Sequence, residues 1–275
     1  MSVWLITGSS RGLGLHIARE ALAQGHQLVA TARDAETVRA ALGEDAGEVL
    51  ILPLDVTDER QAREVAQAAV ERFGRIDVLV NNAGRGLLGA VEEASSEEAR
   101  AVFDINVFGL LSVTRAVLPH LRRQRSGHIL NISSVGGFTA GSGWGIYNST
   151  KFAVEGLSEA LRSELGPLGV HVTIVEPGVF RTDFLDESSL HRTAASIEDY
   201  APTVGKTREW ALDTNHQQPG DPVKAARAIV AMTAAQEPPM RLPLGADCVA
   251  RIETKLEGVA KEVDAWREIA VDTAI

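Results

Sequence analysis

Tyr147 and Lys151 stand four residues apart in the run Tyr147-Asn148-Ser149-Thr150-Lys151, so on a helix they share one face. A phenol titrates near 10 in water, too high to release its proton readily at neutral pH. A neighbouring ammonium favours the phenolate and moves the phenol towards the range where general acid–base catalysis works. Thirteen residues before Tyr147, the apolar run Ile129-Leu130-Asn131-Ile132 ends in Ser133-Ser134, hydroxyls at the end of a strand. Asn81-Asn82-Ala83-Gly84 and Asp55 close two other apolar runs in the same way.

A second constellation opens the chain. Thr7-Gly8-Ser9-Ser10-Arg11-Gly12-Leu13-Gly14 follows a strand-like run and leads into a helical one. Glycines there let the backbone turn tightly and approach a pyrophosphate, and the helix start presents free N–H groups to that anion. The spacing is G-x-x-x-G-x-G. The next strand ends in Thr31-Ala32-Arg33-Asp34, where an acidic residue would take a ribose 2′-hydroxyl and an arginine a 2′-phosphate. Arg33 with Arg11 points to NADP, each charge-assisted bond contributing roughly 1.5–3 kcal/mol, a preference of about 10- to 150-fold. Asp34 keeps NAD open as the other cofactor. The seven histidines show no metal-binding spacing, and His16 with Glu20 reads as a surface pair, so no metal is expected.

These groups need elements to position them. β-Branched runs at 2–6, 27–32, 49–53, 76–81, 127–132 and 170–175 alternate with amphipathic stretches at 12–24, 58–72, 97–124 and 147–165. In the stretch from Asp58, Ala62, Val65, Ala66, Ala69, Val70 and Phe73 recur at helical spacing, with Asp58 or Thr57 as the cap. Strands apolar on both faces, each followed by a helix, require right-handed crossovers and a parallel sheet. The expected fold is α/β, a doubly wound parallel sheet of Rossmann type with helices on both faces. One domain over 1–275 is expected, with a substrate-side insertion at about 183–221. A helix at about 221–235 and a strand at 242–244 should follow. The chain should close with a helical extension at about 246–270 whose charged face is solvated.

Composition narrows the classes. The 275 residues are 45% hydrophobic and 23% charged, with a net charge of −10, which excludes disorder and argues against nucleic acid or an anionic membrane as partner. The lone Cys248 excludes an internal disulfide and a thiolate cluster. No run has the 18 or so apolar residues of a membrane span, and no export signal is evident, so a cytoplasmic location is expected.

Taken together, the motifs resemble the short-chain dehydrogenase/reductase family in its compact, single-domain branch. Thr7 to Gly14 match T-G-x-x-x-G-x-G, Asn81 to Gly84 match N-N-A-G, and Tyr147 to Lys151 match Y-x-x-x-K. Asn106-Val107-Phe108-Gly109 and Pro177-Gly178-Val179-Phe180-Arg181-Thr182 complete the set. The resemblance implies that Tyr147 is the proton donor to a carbonyl oxygen and the base in reverse, and that Ser134 holds the same oxygen, with Ser133 as runner-up. It implies that Lys151 lowers the phenol pKa and bonds the nicotinamide ribose, and that Asn106 holds a relay water. Gly8, Ser10, Arg11, Gly12, Leu13 and Gly14 would form the phosphate turn, with Arg33 on the 2′-phosphate. Asp55 and Val56 would border the adenine. Asn82, Ala83 and Gly84 would line mid-groove, and Pro177, Gly178, Val179 and Thr182 the nicotinamide end. Trp144, Phe138, Phe184 and Trp210 could line a pocket for a hydrophobic substrate, with Gly136, Gly137, Gly141 and Gly143 as mobile walls. The implied activity interconverts a secondary alcohol and a ketone or aldehyde. The implied assembly is a homodimer or homotetramer, for which Val154, Leu157, Leu161 and Leu165 offer a stripe that could equally face the sheet. A non-catalytic redox-sensing regulator is the alternative. A dehydratase or epimerase of the extended branch fits the glycine spacing less well.

Overall fold

The apolar runs become the strands of one sheet, because residues alternating along each strand find a helix layer on either side. The computed structural model of the chain describes residues 1–43 and 47–273. Its strands are β1 Val3–Thr7, β2 Gln27–Ala32, β3 Val49–Pro53, β4 Val78–Asn81, β5 Gly86–Leu88, β6 Gly127–Ile132, β7 Val170–Pro177, β8 Leu190–Arg192 and β9 Arg241–Leu244. Its helices are α1 Gly12–Ala23, α2 Ala35–Leu42, α3 Glu59–Phe73, α4 Ser96–Phe103, α5 Leu110–Gln124, α6 Gly145–Leu165, α7 Lys206–Thr214, α8 Pro222–Met232 and α9 Ala246–Val271. Seven strands pair in parallel in the order β3-β2-β1-β4-β6-β7-β9.

The pleat sorts neighbours onto opposite faces. Leu5, Val29, Leu79 and Ile129 pack with α3, α5 and α6, while Trp4, Ile6, Leu28 and Val80 pack with α1 and α8. Each such fully buried side chain contributes about 1.5–3 kcal/mol relative to exposure. The stripe Val154, Leu161 and Leu165 of α6 is buried, and Leu161 and Leu165 join the sheet-facing core.

Two stretches depart from the sequence pattern. The helix expected over 97–124 is interrupted by a wider π-turn at Asp104–Gly109, where a Cβ on Gly109 would come within 2.6 Å of Val56. The helical path Ser96–Gln124 is long and apolar enough to cross a membrane by length and composition alone. Its apolar residues Val113, Val117 and Leu121 lie in the core against the sheet.

The insertion is more regular than its sequence suggests. β8 adds in parallel to β5, with Gly86 opposite Leu190 and Leu88 opposite Arg192. Leu88, Leu185, Leu190 and Ala211 form a small apolar cluster under Trp144 and Phe184. The layer is pinned by Glu93, only 3% exposed, which accepts from Ala90 N at 2.7 Å, Ile197 N at 2.8 Å and the Arg208 guanidinium at 2.7 Å. Arg208→Ala is expected to lower stability by about 1.5–3 kcal/mol, the size of a hydrogen bond to a charged group. Limited proteolysis within 183–215 should accelerate in parallel, and an unchanged denaturation midpoint would contradict this anchor.

Candidate active site

The first turns of α6 carry Tyr147 to the carboxyl end of β6. The phenol is 7% exposed, with the ring of Trp144 at 5.8 Å and that of Phe184 at 5.5 Å. The Ser134 hydroxyl is hydrogen-bonded to it and accepts the Gly136 N–H at 3.0 Å. The Ser133 hydroxyl, by contrast, is buried without a hydrogen-bond partner among the described residues. One helical turn on, Lys151 Nζ donates to the Ile132 carbonyl at 2.8 Å and lies 5.8 Å from the Tyr147 ring centre.

The electrostatics reverse one expectation. Burial pushes the Tyr147 phenol up to about 12 against the Ser134 hydrogen bond. Burial pulls Lys151 down to about 8 against the attraction of Glu155. In the ligand-free protein burial thus disfavours both charged forms, the phenolate and the ammonium. Tyr147 is held as a neutral proton donor.

The Asn106 side chain is engaged in holding the backbone. Its Oδ1 accepts from Arg85 N at 2.9 Å, and its Nδ2 donates to Arg85 O at 2.9 Å and to Thr150 Oγ1 at 3.0 Å. Both amide hydrogens are engaged, so the side chain clamps the segment after β4 onto α6. Any water at this residue would have to use its main chain, which the π-turn sets apart from regular helix bonding.

Behind Lys151 lies a buried pair of carboxyls. Glu176 of β7 is 0% exposed, and Arg241 reaches it at 3.2 Å and Glu155 at 3.2 Å. Both Glu176 oxygens and Glu155 Oε1 lack a hydrogen-bond donor among the described residues, a lack that a proton shared between the two carboxyls removes. Burial, then the charge of Glu155, push Glu176 to about 7. An unfolded glutamate titrates near 4.3, so between those values the folded state holds a proton that the unfolded state has lost. Stability contributed by this group therefore falls as pH rises from about 4 to about 7. Glu176→Gln is expected to flatten the dependence of Tm on pH across that window, and an unchanged slope in thermal melts would refute the assignment.

At the nucleotide end, Gly8 and Gly12 take the left-handed φ values of 65° and 56° that the tight turn needs. A Cβ on Gly14 would fall 2.3 Å from Asn82 Nδ2, whose two hydrogens hold the Thr7 and Gly8 carbonyls at 2.9 Å. Asp34, Asp58, Ser95 and Asp221 cap α2, α3, α4 and α8, whereas α1, like α5, α6, α7 and α9, starts without a side-chain cap. Gly12 and Leu13 at the start of α1 line the cleft, the place where a helix N-terminus suits a phosphate. A cleft of about 770 Å³ runs from this turn to Tyr147. Ser10, Leu13, Asp55, Val56, Ala83 and Gly84 line its nucleotide half, and Pro177, Gly178, Val179 and Thr182 the other. Gly14 and Asn106 lie outside its wall and support it.

Asp34 Oδ1 accepts the Glu36 N–H at 3.0 Å, which engages its carboxylate as the cap of α2. Arg33 lines the cleft beside it, and Arg11 donates to the Ser188 carbonyl at 2.7 Å. Arg85, missed in the sequence, points into the same cleft. Its Nε is buried with no acceptor among the described residues, and burial and the charge of Arg33 lower its pKa. Its position directly after Asn81-Asn82-Ala83-Gly84 was the available signal. None of these three arginines forms an ion pair among the described residues.

The aromatic expectations divide. Trp144, Phe184 and Trp210 line the cleft, but Phe138 lies under the Arg241 guanidinium at 5.8 Å. Gly136 and Gly137 are buried, and a Cβ on either would sit 2.4 Å from a side-chain oxygen, of Asn148 and Ser133 respectively. They are close-packing positions rather than mobile walls.

The model of the short chain dehydrogenase family matches residues 2–193. The chain belongs to that family. This dehydrogenase is 38% identical to an oxidoreductase of Botryotinia fuckeliana, over 99% of each chain. It is 37% identical to a 3-ketodihydrosphingosine reductase of Bacteroides thetaiotaomicron, over 88% of this chain and 87% of the other. Its fold matches a short-chain dehydrogenase from Streptomyces avermitilis with a TM-score of 0.92, 40% identity and full coverage of both chains. A family member from Burkholderia phymatum in complex with NAD aligns at 0.85, 26% identity and 95% of each chain. An alcohol dehydrogenase from Thermococcus sibiricus complexed with 5-hydroxy-NADP aligns at 0.72 and 27% identity, over 89% of this chain and 96% of that one. The dehydrogenase is thus an oxidoreductase of alcohol and carbonyl groups that uses a nicotinamide dinucleotide.

Proposed function

We propose that this dehydrogenase is an NADP-preferring reductase of hydrophobic ketones or aldehydes, working on small molecules. The observation that carries the reading is the buried Tyr147 phenol beside Ser134 at one end of a cleft that Arg11, Arg33 and Arg85 also line. When bound, the dinucleotide supplies the hydride. Ser134 and Tyr147 hold the carbonyl oxygen, and the phenol passes its proton to that oxygen as charge develops. Lys151, with its pKa near 8, returns a proton to Tyr147. Arg33 and Arg85 hold a 2′-phosphate, with Arg11 joining them once it leaves Ser188. Trp144, Phe184 and Trp210 supply apolar walls, and the reductase of 3-ketodihydrosphingosine among the relatives is in keeping with an apolar substrate. Phe108 at 58% and Phe152 at 45% exposure offer a face near α5 and on α6 for a dimer or tetramer.

The test is titration of the purified protein with NADPH and NADH, then turnover on a panel of aromatic and long-chain ketones. Tight NADPH binding with turnover supports the reading. Preference for NADH overturns the cofactor assignment, and binding without turnover on any carbonyl favours a redox-sensing regulator instead.

A further inference from the structure

Helix α9 begins against the body and ends in solvent. Cys248 Sγ donates to the Glu176 carbonyl at 3.0 Å, and Arg251 donates to Thr139 Oγ1 at 2.8 Å. From Val259 to Thr273 every residue is exposed. An isolated helix of that length is marginal in water, because nucleation is costly and propagation adds little per residue.

Its apolar residues are nevertheless ordered. Val249, Ile252, Leu256, Val259, Val263, Trp266 and Ala270 recur at alternating intervals of three and four, the spacing of a coiled-coil seam. Leu256 is 54%, Val263 52% and Trp266 65% exposed. The face turned to the body holds Arg251, Thr254 and Gly258, with Lys255, Val259 and Glu262 along its edge, and borders a shallow groove with Thr139 and Ala140. The seam is centred about a third of a turn round the helix from that face, and Val249, Leu256, Val263 and Trp266 stay 40–65% exposed.

We propose that α9 pairs antiparallel with α9 of a second copy, forming an interface separate from the face offered by Phe108 and Phe152. In one register the seam closes completely: Val249 meets Trp266 of the other copy, Ile252 meets Val263, and Leu256 meets Val259. The same register sets Lys255 of each copy against Glu262 of the other, giving two opposite-charge pairs beside the seam. The antiparallel sense lays the bare second half of each helix along the first half of its partner, which stands beside a folded body. A lipid surface fits less well. The helix carries Asp247, Glu253, Glu257, Glu262, Asp264 and Glu268 against four basic residues, whereas helices lying on membranes are rich in Lys and Arg on the polar face.

Sedimentation velocity on the full-length protein tests this interface. Lys255→Glu and Glu262→Lys should each weaken self-association by about tenfold, and the double exchange should restore it to within about threefold. Lys255 and Glu262 are seven residues apart, about 10 Å along the helix and too far to pair with each other, so restoration reports contact between copies. Val263→Glu with Trp266→Glu should lower the assembly by one step, from tetramer to dimer or dimer to monomer, with turnover retained. Unchanged assembly in that variant overturns the proposal, as does a double exchange no better than the single ones. Binding of the wild type to phosphatidylcholine vesicles, lost in the Val263→Glu and Trp266→Glu variant, overturns it in favour of a lipid surface.

Discussion

Tyr147→Phe is expected to lower kcat for ketone reduction by about 10²–10⁴-fold, the contribution of a positioned general acid. The ring keeps its contacts with Trp144 and Phe184, so the fold and the cofactor cleft should persist. The dissociation constant for NADPH should therefore move by no more than about threefold, or roughly 0.6 kcal/mol. Stopped-flow binding together with steady-state turnover separates the two quantities. A variant that still turns over at a tenth of the wild-type rate would remove Tyr147 from the chemistry. The wild-type rate of reduction should fall as pH rises past about 8, because Lys151 then loses the proton it returns to Tyr147. A profile flat from pH 7 to 10 would leave Lys151 a positioning role only.

Arg33→Ala is expected to weaken NADPH binding by about 10- to 150-fold and NADH binding hardly at all, because one charge-assisted bond contributes about 1.5–3 kcal/mol. Three features support this size. Ala32 at the end of β2 offers no carboxylate to a ribose hydroxyl, Asp34 is engaged as the α2 cap, and Arg85 sits close enough to Arg33 for their charges to repel. Two cations held close without an anion gain most when a phosphate arrives between them. The loss should shrink with added salt, since Arg33 is exposed and exposed charges are screened. Equal losses for NADPH and NADH would show that Arg33 serves the loop and not the 2′-phosphate.

The sequence by itself determined the sheet and the residues at its carboxyl edge. Apolar strands and helical spacing are local signals, and glycine-turn, Asn-Asn-Ala-Gly and Tyr-x-x-x-Lys spacings are short enough to read along the chain. What lay beyond it was whatever joins distant segments. β5 and β8 are three residues each and gain a partner only across some hundred positions, so neither has a periodicity to read. Glu93 and Arg208, 115 residues apart, look like surface charges until burial makes them an anchor. Arg85 is an ordinary arginine until the fold turns it into a cleft beside Arg33. The protonation of the central pair was decided in the same way. Spacing put Lys151 one turn from Tyr147 and suggested a lowered phenol pKa, but the cost of burying charge under Trp144 and Phe184 outweighs that proximity. Desolvation is a property of the packed interior, and only the tertiary structure sets it.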